Sequence, residues 1–289
     1  MDRIAAFEQE RSWLFSVAYR MLGSVGDAED LVQETWLRWE RVAADEIESP
    51  RAYLTTITTR LCIDHLRLAR VRRETYVGTW LPEPVASDTP LPSARAELAD
   101  SLSMAFLLLL ERLSPAERAA YLLREVFGFS HDEVAKTLDK SAPACRQLLR
   151  RAKERIGAEQ PRRAVDETRQ AELLGAFLGA IQSADYGGLL AVLKEDVVLH
   201  ADHGGKAVSV RRNIYGADRV ARLFLGLAKK FPPQDATFEA RMVNGRLGVI
   251  IHEAGVPTTA MHFEFAEAGI AAVYQVRNPD KLHRLPARG

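Results

Sequence analysis

Pro82, Pro84, Pro90 and Pro92, with Gly78, Ser87 and Ser93, crowd into residues 76–94. Each proline ring removes a backbone donor and fixes φ, so no helix or central strand is expected to run through such a stretch. The chain is thereby cut into parts that must each find a core, and 289 residues suffice for two or three. A shorter break falls at residues 160–163. The expected organisation is a module over 1–75, a linker without regular structure over 76–94, a second module over 95–160 and a further domain over 165–289.

The first 75 residues read as helices throughout. Phe7, Trp13, Leu14, Val17, Ala18, Met21 and Leu22 recur at helical spacing and Gly23 ends the run. Asp27 stands in an acidic first turn of the next helix, whose apolar positions include Leu31, Val32, Trp36 and Trp39. Ser49-Pro50 is a cap followed by proline at the first helical position, opening a helix through Tyr53, Leu54, Ile57, Leu61, Ile63 and Leu66. Helical periodicity resumes near Arg95. Ser114-Pro115-Ala116-Glu117 and Ser130-His131-Asp132-Glu133 both match the capping box, and Ser141 precedes a third helix. A helix over 130–138, a tight turn and a basic helix over 142–156 form a helix-turn-helix pattern. Val134, Ala135, Leu138, Cys145, Leu148 and Leu149 are its expected packing residues.

Beyond residue 163 the texture becomes mixed. Residues 172–184 and 217–230 read as helices; 197–199, 207–210, 237–243, 247–251, 261–265 and 270–276 read as strands. Asn244-Gly245 signals a hairpin between two of them. The expected fold is two all-α modules followed by a mostly antiparallel α+β domain.

Formal net charge is zero, which on its face argues against nucleic acid, but the signs are segregated. Eight acids stand against two bases between Asp27 and Glu48; five bases stand against one acid between Arg146 and Arg155, and five against two between Arg60 and Glu74. Two cationic surfaces and one anionic surface suit a protein that meets DNA twice and a basic protein surface once. On the last helix Arg146, Gln147, Arg150, Arg151 and Lys153 carry groups that bond phosphates, guanine and adenine. In the first module Tyr53 and the threonines 55, 56, 58 and 59 beside Arg60, Arg67, Arg70, Arg72 and Arg73 suit single-stranded DNA, although Tyr53 equally fits a core position. The longest apolar run, Met104 to Leu110, is too short to span a membrane, and no secretory signal is expected. Cys62 and Cys145 read as reduced, buried thiols, neither disulfide nor metal ligands, which points to the cytoplasm.

These residues resemble a known family. The run Asp27-Ala28-Glu29-Asp30-Leu31-Val32-Gln33-Glu34-Thr35-Trp36 is similar to region 2.2 of the sigma-70 family, extracytoplasmic-function group. The resemblance implies that Asp27, Asp30, Gln33, Glu34 and Trp36 dock on the clamp helices of the RNA polymerase β′ subunit. Pro50-Arg51-Ala52-Tyr53-Leu54 through Asp64-His65-Leu66-Arg67 resembles regions 2.3 and 2.4, which open and read the −10 promoter element. It implies −10 contacts by Tyr53, Thr56, Arg60, Asp64, Arg67, Arg70, Arg72 and Arg73; Arg60 stands where many members carry asparagine. Leu113-Ser114-Pro115-Ala116-Glu117-Arg118 and the following helix-turn-helix resemble region 4, which meets the β flap and reads the −35 element. It implies −35 contacts by Ala142, Pro143, Arg146, Gln147, Arg150, Arg151 and Lys153, with Pro143 and Ala144 where a glycine and a threonine are common.

Trp80-Leu81-Pro82-Glu83-Pro84, Asp202-His203-Gly204-Gly205-Lys206 and Asn278-Pro279-Asp280-Lys281-Leu282 resemble signatures of the SigJ-like subgroup, whose members carry a SnoaL-like, NTF2-like cone domain. The loop departs from the subgroup in having His203 in place of a glycine. The resemblance implies a cone-shaped domain that contacts the sigma core and modulates activity in cis in place of a separate anti-sigma partner; the expected partners are core RNA polymerase and promoter DNA, and no cofactor is expected. Trp80 and residues 278–282 are expected to meet at an interface that holds the DNA-reading modules together. Two alternatives stay open at this point. One is a helix-turn-helix regulator or repressor whose cone senses a small-molecule ligand. The other is an enzyme using His200, Asp202, His203, His252, Glu253, His262 and Glu264 as acid/base groups in the cone.

Overall fold

The structure, a computed structural model, describes residues 3–42, 47–74, 76–87, 101–157, 165–230 and 236–288, with the side chains of 69–74 and 87 outside the description. The chain divides into two compact units. One combines Met1–Thr75 with Phe106–Gln160; the other combines Tyr76–Ala105 with Pro161–Gly289. Residues 88–94 of the expected linker, the helical periodicity near Arg95 and the break at 160–163 lie outside the described residues.

The first unit is helical. Its elements are α1 (Arg3–Leu22), α2 (Val25–Trp39) and α3 (Pro50–Glu74), then, after α4 (Met104–Leu110), α5 (Pro115–Tyr121), α6 (His131–Leu138) and α7 (Ala142–Ile156). The starts lie where side chains satisfy the free N–H groups of a first turn. Ser24 Oγ accepts from Asp27 N–H at 3.3 Å, and Ser114–Glu117 and Ser130–Glu133 close both halves of a capping box. Asp139, in the left-handed region at φ 51°, ends α6, and Ser141 caps α7 through Ala144 N–H. Val134, Leu138, Cys145 and Leu149 are buried in the pair as expected. Ala135 and Leu148 are only half-buried, and Ala152 and Ile156 complete the contact instead. A π-helical turn at Leu122–Val126 had no signal in the sequence.

Leu14, Val17, Ala18 and Met21 of α1 are buried in the first unit, as are Val32 and Trp39 of α2 and Leu54, Leu61 and Leu66 of α3. Here the sequence expectation needs a correction. Thr55, Thr58 and Thr59 are fully buried, not surface groups for DNA. Thr55 accepts from Trp13 Nε1 at 3.1 Å and Thr58 shares a 3.0 Å hydroxyl contact with Thr35. Small polar side chains fit between close helices when their hydroxyls find partners.

The second unit carries a seven-stranded sheet. Its strands are β1 (Ala86–Ser87), β2 (Leu193–Asp202), β3 (Ile214–Tyr215), β4 (Ala236–Val243), β5 (Arg246–Glu253), β6 (Val256–Ala266) and β7 (Gly269–Val276), in the order β1-β4-β5-β6-β7-β2-β3. Among the described residues only β2 and β7 pair in parallel. The β4–β5 turn uses Asn244 (φ 51°) and Gly245 (φ 74°), the left-handed pair a two-residue hairpin requires. Helices α8 (Glu167–Gln182), α9 (Tyr186–Val192) and α10 (Ala217–Lys230) share one apolar core with one sheet face; α11 (Pro279–Leu282) closes the chain. Phe177 lies 5.1 Å from Phe224 and 5.4 Å from Phe263, both edge-on.

Two expectations fail in this unit. Residues 76–94 are not free of regular structure: Ala86 and Ser87 pair with Val243 and Met242. Asn244 receives this segment, its side chain accepting from Val85 N–H and its own N–H donating to Val85 O, each at 2.8 Å. Ala207–Val210 alternates like a strand but is not one. It follows the left-handed pair Gly204–Gly205, and the Val208 carbonyl accepts from the Arg277 guanidinium at 2.6 Å. Ile214–Tyr215 takes the edge beside β2 instead.

Replacing Phe177 with Ala is expected to destabilise this sheet by about 3–5 kcal/mol. Native-state amide exchange of β6 and β7 reads the loss; unchanged protection there would contradict the packing described.

Candidate functional site

Three surfaces and one buried cluster gather the residues singled out in the sequence. On α7 the apolar side is Cys145, Leu149, Ala152 and Ile156, which leaves Arg146, Gln147, Arg150, Arg151 and Lys153 exposed. In its first turn Pro143 is exposed and Ala142 half-buried. Arg150 pairs with Glu154 at 2.7 Å and Lys153 with Glu125 at 3.0 Å. Such solvated pairs hold a cation only weakly and yield to a stronger anion.

On α3 Thr56 and Arg60 lie one turn apart on one face. Thr56 Oγ1 donates to Ala52 O and sits 3.3 Å from the Thr137 hydroxyl. Arg60 Nε donates to Thr137 O at 2.8 Å and Nη2 to Lys136 O at 3.1 Å. Tyr53 is half-buried, its ring tilted against Trp39 at 5.9 Å. Asp64 and Arg67 form an exposed pair at 3.0 Å. Arg70, Arg72 and Arg73 fall within the last turns of the helix.

On α2 Asp30 and Gln33 are exposed. Asp27 lies 3.5 Å from His65 Nε2, and Glu34 pairs with Arg38 at 3.0 Å. Trp36 packs edge-on to Phe7 at 5.1 Å. A groove of about 890 Å³ runs between α1 and α2, lined by Phe7, Glu8, Phe15, Asp30, Gln33 and Trp36 among others. It offers apolar floor and acidic rim together.

The buried cluster belongs to the second unit and joins three segments far apart in sequence. The Asp202 carboxylate, 0% exposed, accepts from Tyr76 Oη (2.5 Å) and Gly204 N–H (3.1 Å) on one oxygen. Its other oxygen accepts from Leu81 N–H (2.8 Å) and Lys281 Nζ (2.7 Å). Lys281 also donates to Leu81 O at 2.5 Å, and its ammonium stands 4.5 Å from the centre of the Trp80 ring and 5.0 Å from that of Tyr76. Asn278 Nδ2 donates to Tyr76 Oη. Burial first, then the neighbouring Asp202, pushes the Tyr76 phenol far up, so it stays a donor. Pro82 and Pro84 are buried, Glu83 half-buried. Lys206 pairs with Asp280 at the surface, Pro279 opens α11, and Leu282 is buried. His203 keeps ordinary backbone geometry while Gly204 (φ 55°) and Gly205 take the left-handed positions. A Cβ at Gly204 would stand 2.4 Å from Asn278 Nδ2, so that contact requires glycine. Three of the four partners of Asp202 were not legible in the sequence, because they come from residues 121, 126 and 79 positions away.

The acid/base groups considered for a cone cavity lie elsewhere. Register places Gly248, His262, Tyr274 and His200 in one row across β5, β6, β7 and β2. Alternation puts this row on the face opposite Val249, Met261, Phe263, Val273 and Leu199, which belong to the apolar core shared with α8–α10. His200 stacks on Tyr274 at 5.0 Å. Burial first, then the charge of Arg246, lowers His262 to about 3. Among the described residues no cluster of histidine, cysteine or carboxylates forms a metal site, and both cysteines are free and buried.

Comparison with known proteins defines the class. Residues 6–72 match Sigma-70 region 2, residues 103–156 match Sigma-70, region 4, and residues 174–282 match the SnoaL-like domain. The chain is 37% identical, over 99% of its length and 95% of the relative's, to the ECF RNA polymerase sigma factor SigJ of Mycobacterium tuberculosis. It is 35% identical, over 76% of its length and 75% of the relative's, to a probable ECF RNA polymerase sigma factor, SigI, of the same species. The crystal structure of M. tuberculosis SigJ superposes with a TM-score of 0.76 at 34% identity, covering 96% of this chain and 97% of that one. This chain belongs to the extracytoplasmic-function RNA polymerase sigma factors, and it carries their regions 2 and 4 followed by a SnoaL-like domain. A helix-turn-helix regulator acting without polymerase is not favoured, because the likeness extends through region 2.

His262 gives a pH test of this sheet face. Its folded pKa lies below the unfolded value near 6.5, so the unfolded chain takes the proton first as pH falls. Stability from this group is full above about pH 6.5 and is lost progressively down to about pH 3. Replacing His262 with Gln is expected to flatten the stability profile by on the order of 2 kcal/mol between pH 7 and 5. Denaturant melts across that range check it; parallel profiles would refute it.

Proposed function

We propose that this sigma factor places α7 on the −35 element, α3 on the −10 element and the α1–α2 groove on core RNA polymerase. Core polymerase and promoter DNA are the partners of a sigma factor, and each surface has the chemistry its partner asks for. Exposed guanidinium and amide groups of Arg146, Gln147 and Arg150 suit base edges and phosphates; Arg151 and Lys153 suit phosphates. Thr56, Arg60, Asp64, Arg67 and the basic end of α3 suit opened strands. Phe7, Trp36, Asp30 and Gln33 suit a basic amphipathic helix pair. Among the described residues no helix is long and apolar enough to cross a membrane, and the site of action is the cytoplasm, where polymerase and chromosome meet.

The SnoaL-like domain acts in cis, without catalysis, by gripping the chain between regions 2 and 4. One observation carries this part: a fully buried carboxylate, Asp202, that two groups of the segment 76–81 help to satisfy. A buried charge stripped of partners is strongly destabilising, so the segment and the domain hold each other. Aromatic side chains of Phe177, Phe224 and Phe263 fill the space between sheet and helices, which speaks against a roomy ligand cavity there.

Run-off transcription with core polymerase tests the whole reading: added protein is expected to start transcripts at one position, and a failure to associate with core enzyme would end it. Changing Arg146 and Arg150 to Ala together is expected to weaken duplex binding and lower the salt slope of log K by about 2. A slope equal to that of the unchanged protein would remove α7 from the interface. For the grip, Lys281→Met is expected to raise the rate of limited proteolysis within residues 76–87 at least tenfold and to change run-off yield. An unchanged cleavage rate would dismiss it.

A further inference from the structure

We infer that the stretch from His203 to Arg222 of the SnoaL-like domain, between β2 and the first turns of α10, is a further DNA contact made through promoter phosphates. Five bases, Lys206, Arg211, Arg212, Arg219 and Arg222, stand there against one acid, Asp218. The recognition helix α7 has the same balance between Arg146 and Arg155. The stretch lies outside the residues that match sigma regions 2 and 4. Formal net charge of the chain is zero, so its attraction to a polyanion has to come from local concentrations of one sign.

These side chains are not spent within the fold. Arg211 and Arg212 are exposed and, among the described residues, enter no side-chain hydrogen bond and no ion pair. Arg219 is exposed as well. Arg222 pairs with Asp218 at 2.8 Å and Lys206 with Asp280, all four side chains more than half exposed. Such pairs are weak and yield to a phosphate. Tyr215, 60% exposed on β3, adds a hydroxyl of the kind that bonds phosphate oxygens. The backbone beneath is fixed. The Val208 carbonyl accepts from Arg277 at 2.6 Å, Asn213 Oδ1 accepts from Thr79 Oγ1 at 2.9 Å, and Tyr215 pairs with Val198 of β2. Guanidiniums on a held loop lose less freedom on binding than guanidiniums on a loose one.

Duplex DNA carries one negative charge per ~1.7 Å of helix axis, so neighbouring guanidiniums on a rigid loop meet several phosphates of one stretch at once. Such a contact needs no base edge and is blind to sequence. Promoter DNA is already a partner of this chain, and a second contact on the same chain acts at high effective concentration, so a weak one adds to the hold. An acidic protein surface is the rival. It would have to supply carboxylates spaced to this loop, whereas phosphates recur along every promoter.

The full chain bound to core polymerase serves for the test. Arg211→Ala/Arg212→Ala is expected to lower the slope of log K against log salt by about 2, at about 0.9 for each phosphate released. Affinity for a promoter and for a duplex of unrelated sequence should fall by one common factor, on the order of tenfold. Arg211→Lys/Arg212→Lys is expected to keep the slope, since a point charge suffices for phosphate. An unchanged slope in the alanine variant overturns the contact. Weaker association with core polymerase in the absence of DNA, with the slope unchanged, overturns it too and assigns the loop to an acidic protein surface. Position is read by a label. Val208 is 69% exposed in the same loop, and Cys62 and Cys145 are buried, so Val208→Cys directs an iron–EDTA probe to this site. In the promoter complex the probe is expected to cut the DNA backbone in one cluster of positions; uncut DNA overturns the proposal. The α7 reading fails separately: it predicts that Arg146→Ala/Arg150→Ala lowers the preference for promoter over unrelated duplex, a ratio that Arg211→Ala/Arg212→Ala leaves unchanged.

Discussion

The ion pair between Asp202 and Lys281 is the constraint on which the second unit turns. Both groups are buried, and taking a carboxylate and an ammonium out of water costs several kcal/mol per ion before any return. The return comes only if every remaining lone pair and proton is used. Asp202 reaches that state with four donors, of which Tyr76 Oη and Leu81 N–H belong to the segment after region 2. Lys281 reaches it with the Leu81 carbonyl and two aromatic faces from the same segment. Without residues 76–81 the SnoaL-like domain would expose an incompletely solvated charge pair. The segment is therefore part of that domain's fold, although it precedes region 4 in the chain.

Topology follows from this. Region 4 is inserted between two stretches of chain, residues 76–105 and 161–289, that belong to one unit. The chain therefore ties region 4 to that unit at both of its ends.

How much of this was legible in the sequence depended on the distance over which each signal acts. The capping boxes at Ser114 and Ser130 and the Asn244-Gly245 turn involve neighbours within three residues, and the structure forms all three. The helix-turn-helix was readable for the same reason. The strand at Ala86–Ser87 was not, because it exists only through Val243, Met242 and the Asn244 side chain, more than 150 positions away. Thr55, Thr58 and Thr59 looked like a polar surface and are buried; for Thr55 and Thr58 the reason is that Trp13 and Thr35 supply partners that composition cannot reveal. Trp80 announced itself as an aromatic without a local core. That its ring would face an ammonium followed only from the folded chain.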